Sequence, residues 1–205
     1  MGRMTGDRFV DLLRHGAVDG GGRFRGTSDD RLSPLGLEQM RAVTEREGSW
    51  DAIFSSPARR CAELARELAS QRGLTLKLMP ELGERRFGVW ENCTAAEIPI
   101  AELRRFWGDP VGFTPPGAEP FDELRERALG GWSRILAHQA RSSLVITHGG
   151  VIRIILGRVL EIPATALLRI EVPPACRTRL RVPAGEGRPS LMFHGGGPQP
   201  CGVPS

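Results

Sequence analysis

Ser143-Leu144-Val145-Ile146-Thr147 runs straight into His148-Gly149-Gly150. Five residues, mostly apolar and β-branched, are too few for a helix and read as a buried strand. The glycines allow a turn into the helix expected over residues 151–160. The same pattern stands near the N-terminus, where Phe9-Val10-Asp11-Leu12-Leu13 stops at Arg14-His15-Gly16. It recurs where Asp51-Ala52-Ile53-Phe54 ends in Ser55-Ser56-Pro57, ahead of an amphipathic helix that carries Arg60 and places Ala58, Cys61, Leu64, Ala65 and Leu68 on one side. Strands alternating with helices predict an α/β fold: a three-layer sandwich with a mainly parallel central sheet and helices on both faces. Ligands of such sheets bind beyond the carboxyl ends of the strands. All three polar clusters would lie at that edge.

Outward from these strands, a glycine-rich loop (Gly20, Gly21, Gly22, Gly26) precedes a helix opened by Ser33-Pro34, with serine at the cap and proline in the first turn. Residues 74–79 read as a further strand. Residues 80–120 are irregular apart from a helix near 95–106, and Pro115-Pro116-Gly117 breaks the chain firmly. A long helix is expected over 121–139, then two paired strands at 167–172 and 177–182 around a Pro173-Pro174 turn, and a further strand at 190–193. The whole, residues 1–205, is expected to be one domain with its core over about 8–194. The Gly/Pro-rich tail from 195 to 205 is expected to be loose.

The chain has 205 residues, 40% hydrophobic and 25% charged, with a net charge of +4. That suits one soluble domain with a sizeable core. Lys77 is the only lysine; the arginines are spread along the chain and interleaved with glutamate, not clustered into a basic stripe, so no nucleic-acid partner is expected. Cys61, Cys93, Cys176 and Cys201 form no C-x-x-C pair, which argues against a zinc site or a disulfide framework. No run of about 18 apolar residues would cross a membrane, and residues 1–7 carry no apolar leader. A cytoplasmic, reduced protein is expected, as a monomer or a homodimer.

Cleaving a phosphate monoester needs cations to hold the dianion, a nucleophile in line with the leaving oxygen, and an acid to protonate it. A neutral histidine held at one ring nitrogen can be that nucleophile. Arg14 and Arg60 can fork onto phosphate oxygens, and glycines beside His15 and His148 let backbone come close. Each signal alone is weak: a lone histidine after a strand is more often structural, and a helix arginine is usually solvated.

Their order along the chain resembles the histidine phosphatase superfamily, also called phosphoglycerate mutase-like. Leu12-Leu13-Arg14-His15-Gly16 resembles its R-H-G motif, and Gly26-Thr27-Ser28-Asp29 with Leu32-Ser33-Pro34-Leu35-Gly36 the segment that follows. Ser55-Ser56-Pro57-Ala58-Arg59-Arg60-Cys61 resembles S-x-L-x-R-A, which puts the second arginine at Arg60 and not Arg59. Leu82-Gly83-Glu84-Arg85-Arg86-Phe87-Gly88-Val89-Trp90-Glu91 resembles L-x-E-x-x-F-G-x-W-E, and Val145–Gly150 resembles V-x-H-G-G.

The resemblance, over about residues 9–182, implies that His15 becomes a phosphohistidine. Arg14, Arg60 and His148 would form the phosphate pocket, and Glu84 would protonate the leaving group and then activate water. Gly26, Thr27 and Gly149 would join in binding a small phosphate monoester, without metal or other cofactor. Phe106-Trp107-Gly108-Asp109-Pro110 and Thr114-Pro115-Pro116-Gly117-Ala118-Glu119 are similar to a region of alpha-ribazole phosphatases, which act in cobalamin synthesis. Ala17, Asn92, Ala118 and Pro120 depart from the family pattern around the rim that would recognise the leaving group. A broad-specificity phosphatase, a phosphoglycerate mutase and a non-catalytic phosphate-binding module are the competing readings.

Overall fold

Side-chain alternation along the strands decides how the layers assemble. The computed structural model describes residues 6–46 and 49–196. Six strands, β1 (Arg8–Arg14), β2 (Ala52–Ser55), β3 (Thr75–Leu78), β4 (Ser142–Thr147), β5 (Arg177–Val182) and β6 (Ser190–Gly195), form one sheet in the order β3-β2-β4-β1-β5-β6. The first four in that order are mutually parallel; β5 is antiparallel to both β1 and β6.

Successive residues of a strand face opposite sides. Leu13, Ile53, Leu144 and Ile146 point to one face, where they pack with Met40 of α1 (Pro34–Arg46) and with Cys61, Leu64, Ala65 and Leu68 of α2 (Arg59–Arg72). Val10, Leu12, Phe54 and Val145 point to the other, against α4 (Phe121–Leu136) and α5 (Gly149–Leu160). The result is the expected three-layer α/β sandwich. A third apolar cluster joins Leu103 and Phe106, on a short helix over Ile100–Gly108, to Trp90, Ile98, Phe24, Phe87 and Phe113 of the connecting segments. Among the described residues no helix is long and apolar enough to cross a membrane.

Three expectations need correction. Residues 167–172 are not a strand: Ala164–Arg169 is a 3-10 helix, and β5 pairs with β1 and β6 instead. The carbonyls that a strand would give to a ladder go to side chains here. Ile170 O accepts from Arg153 Nε (2.9 Å), Glu171 O lies 2.7 Å from His194 Nε2, and Val172 O accepts from Arg14. The helix expected over 95–106 is divided. Ala95–Glu97 is one 3-10 turn, closed by a capping box between Thr94 and Glu97, and α3 (Ile100–Gly108) starts only after Pro99. Proline forces the residue before it into extended backbone, and Ile98 has φ −100° and ψ 138°. The helix expected to reach residue 139 stops at Leu136. From residue 197 on, the tail expected to be loose lies outside the described residues.

Candidate active site

Strand register brings the three polar clusters together. Arg14 stands opposite Thr147, and Ser55 opposite Ile146. The ladder runs on past the strand ends, with His15 N bonded to Thr147 O (3.0 Å) and Ser56 N to Ile146 O (2.9 Å). His15, Ser56 and His148 therefore leave the sheet side by side, and the rings of the two histidines are 5.2 Å apart between centroids.

His15 Nδ1 lies 2.8 Å from the carbonyl oxygen of Gly16. A carbonyl only accepts, so Nδ1 carries the proton and Nε2 keeps its lone pair. Burial, with the nearby Arg14 and Arg60 guanidiniums, pushes the His15 pKa down to about 3. The ring is thus neutral across the physiological range. His148 is fully buried and is pushed the same way, by burial first and Arg60 next. Its Nε2 sits 2.8 Å from Ser56 Oγ and 3.7 Å from Cys61 Sγ. With the Ser56 hydroxyl donating to Nε2, the proton of the neutral ring rests on Nδ1.

Arg60 is fully buried although it lies on a helix. It donates to the carbonyls of Ser28 (2.6 Å), Arg25 (3.2 Å) and Gly26 (3.2 Å). Arg59 beside it turns out to pair with Glu63 at 3.1 Å. Arg14 donates to Val172 O, and its pKa is lowered by burial against the opposing pull of Glu84. Glu84 accepts from two backbone amides, Arg85 N (2.9 Å) and Gly150 N (3.1 Å). A Cβ at Gly150 would lie 2.3 Å from Glu84 Oε1, so any larger residue there would push the carboxylate aside.

Among the described residues, the buried side-chain nitrogens without a hydrogen-bond partner are Arg14 Nε, Arg25 Nε, Arg60 Nε and His148 Nδ1. Arg25 Nε has the Asp30 carboxylate 3.3 Å away; the other three belong to this site, and a buried donor left alone is costly. Of the predicted residues, Arg14, His15, Glu84 and Gly149 line a cavity of about 450 Å³. Arg60 and His148 are fully buried and are not among its lining residues. Gly26 and Thr27 do not line it either; their amides donate to the two oxygens of Glu91 (3.1 and 3.0 Å), and Gly26 O receives Arg60.

The cavity also takes in an aromatic wall of Phe24, Phe87, Phe106 and Trp107, with Arg153 and Leu168 among its other residues. Ser56 and Arg153 were not singled out from the sequence. Ser56 stood in a recognised motif, but its partner is 92 residues away. Arg153 is one turn beyond Gly149-Gly150, a spacing that could have flagged it. Among the described residues no group of three or more His, Cys, Asp or Glu side chains could hold a metal ion.

Asn92 stands where the family pattern has glycine, and its φ is 62°. Asparagine tolerates that left-handed backbone better than most side chains.

The chain is 31% identical over 169 residues to a bifunctional protein of Mycobacterium tuberculosis, matching 78% of this chain and 46% of that protein. It therefore spans about half the length of that relative. It is 27% identical over 175 residues to the adenosylcobalamin/alpha-ribazole phosphatase of Escherichia coli, covering 80% of this chain and 85% of the relative. Among solved structures, the alpha-ribazole phosphatase of Shigella flexneri superposes with a TM-score of 0.81 at 23% identity, over 92% of this chain and 96% of that one. A mycobacterial glucosyl-3-phosphoglycerate phosphatase superposes with a TM-score of 0.78 at 25% identity, over 90% and 97%. The family model of the histidine phosphatase superfamily (branch 1) matches residues 10–194, and the chain belongs to that superfamily.

Proposed function

We propose that the protein is a phosphomonoesterase working through a phosphohistidine. The observation that carries this reading is the set of unpartnered buried nitrogens on Arg14, Arg60 and His148 around a neutral His15. A phosphate dianion would give each of them an acceptor and supply the missing charge.

His15 Nε2 attacks phosphorus in line with the ester oxygen. The P–O bond to the alcohol breaks, and Glu84 gives its proton to the leaving oxygen. Water then attacks the phosphohistidine, Glu84 takes a proton from it, and the P–N bond breaks to release phosphate and neutral His15. Arg14, Arg60, His148 and the Gly149 backbone hold the non-bridging oxygens through both steps. Gly26 and Thr27 serve by keeping the loop that receives Arg60. No cofactor is needed in this scheme.

For the substrate, we favour alpha-ribazole 5′-phosphate, in a cytoplasmic enzyme of cobalamin synthesis that is a monomer or a homodimer. Support comes from the relatives named for that activity and from the aromatic wall, which suits a flat base. The test is phosphate release, without added metal, from alpha-ribazole 5′-phosphate, p-nitrophenyl phosphate and 3-phosphoglycerate. A marked preference for the first, lost in His15→Ala, supports both parts. Comparable low rates on all three remove the cobalamin assignment alone. Isomerisation of 3-phosphoglycerate without net release favours a mutase.

A further inference from the structure

One guanidinium behind the cavity collects most of the backbone that carries Glu84. Arg127, on α4, donates through Nη1 to Gly83 O (2.9 Å), Glu81 O (3.0 Å) and, at longer range, Pro80 O (3.4 Å). Its Nη2 donates to Glu84 O at 3.2 Å. Its Nε and Nη2 also grip the two oxygens of Glu119, each at 2.9 Å.

Glu119 is only 2% exposed. Burial pushes its carboxyl up, but the hydrogen bonds and charges of Arg127 and Arg86 together carry the net direction down, so the pair stays ionised. Glu119 is itself sewn to the next residues. Its N donates to Arg86 O (2.9 Å), Oε2 accepts from Arg86 N (3.3 Å), and its carbonyl accepts from Arg85 Nε (2.8 Å). Neither Arg127 nor Glu119 lines the cavity.

Leu82 anchors the start of this segment, buried in the core with its carbonyl accepting from Thr147 Oγ1 (2.7 Å). Past it, the Glu84 carboxylate has two amide bonds, one of them from its own neighbour, and the segment has a single three-residue 3-10 turn, Pro80–Leu82. A proton donor must sit within hydrogen-bond reach of the leaving oxygen, and small misplacements cost rate. A planar fork fixes several acceptors at once in a way that an ammonium does not.

We propose that Arg127 and Glu119 are positioning residues for the proton donor. The pair, with Glu119 buried and Arg127 partly buried, holds residues 80–86 so that the Glu84 carboxyl stays between the Gly150 amide and the leaving oxygen. The proposal rests on the reading of Glu84 as the acid.

The experiment measures kcat/KM, which covers steps through departure of the alcohol, for p-nitrophenyl phosphate and for glycerol 1-phosphate. The variants are Arg127→Lys, Glu119→Gln, Glu84→Gln, and each of the first two combined with the third. An alkyl alcohol leaves poorly and needs the acid far more than nitrophenol does.

Arg127→Lys and Glu119→Gln should each lose roughly tenfold more on the alkyl ester than on the aryl ester, a part of the roughly 10²–10⁴ that a general acid contributes. In the Glu84→Gln background neither should move the aryl-to-alkyl ratio further. Equal losses on both esters, or a ratio shift that persists without Glu84, would overturn the proposal. Glu84→Gln treating both esters alike would instead remove the acid reading, and the positioning role with it. Should Arg127→Lys not fold, Glu119→Gln, which is close in shape and needs no longer reach, decides the matter alone.

Discussion

His15 is held as a nucleophile from near and far along the chain: the carbonyl of its neighbour Gly16 fixes the proton on Nδ1, and burial with Arg14 and the distant Arg60 keeps the ring uncharged. A pH consequence follows from the sign of that shift. With a folded pKa of about 3 against an ordinary 6.5, the unfolded chain takes up a proton between those values that the folded one refuses. His15 therefore contributes its full share of stability above pH 6.5 and loses it as pH falls towards 3, by at most about 1.4 kcal/mol per pH unit. Urea unfolding of His15→Asn should show a flatter loss of stability between pH 6.5 and 4 than the parent; an unchanged slope would contradict the neutral ring. Arg60 makes the other residue-scale prediction. Arg60→Lys keeps the charge but not the fork that reaches three carbonyls and leaves Nε for an oxyanion. Its kcat/KM on p-nitrophenyl phosphate should fall by roughly 10²-fold. A fall of less than threefold would mean that Arg60 only shapes the loop.

At the scale of elements, the start of α5 carries opposed demands. A helix prefers alanine to glycine by about 1 kcal/mol, yet a Cβ at Gly150 would drive into Glu84 Oε1. Gly150→Ala should thus keep most of its thermal stability while losing most of its turnover, as differential scanning calorimetry beside a phosphatase assay would reveal. Parallel loss of both would mean that the helix itself had been disrupted. The segment before β5 teaches a related lesson. Its apolar residues look like a strand, but a strand needs a partner edge, and here three successive carbonyls, from Ile170 to Val172, face side chains of Arg153, His194 and Arg14 instead. Its role is to aim two cavity arginines, which hydropathy along the chain does not express.

For the whole molecule, the sheet both builds the core and sets the site. Asp11, fully buried in the middle of β1, accepts from Trp50 Nε1 (2.8 Å) and from Arg179 Nε and Nη2 (3.1 and 2.9 Å). Asp11→Ala would strand these donors and should cost about 3–5 kcal/mol in chemical unfolding, with activity per folded molecule retained; a matching loss of specific activity would show that the site depends on the middle of this strand. Filling the phosphate pocket should act in the opposite direction. Inorganic phosphate at a hundred times its Kd should add about 2.7 kcal/mol, and the gain should shrink in Arg60→Lys. The sequence by itself determined the α/β class, all six strands near their observed places, and the polar clusters at Arg14-His15, Arg60 and His148, because strand periodicity, helix caps and glycine turns are local properties of the chain. Tertiary structure alone decided that Arg60 is buried and not solvated, that residues 167–172 serve arginines, and that Arg127 on α4 gathers the carbonyls of residues 80–84. Those facts rest on contacts between residues tens of positions apart, whose energies come from burial and hydrogen-bond geometry that no local pattern encodes.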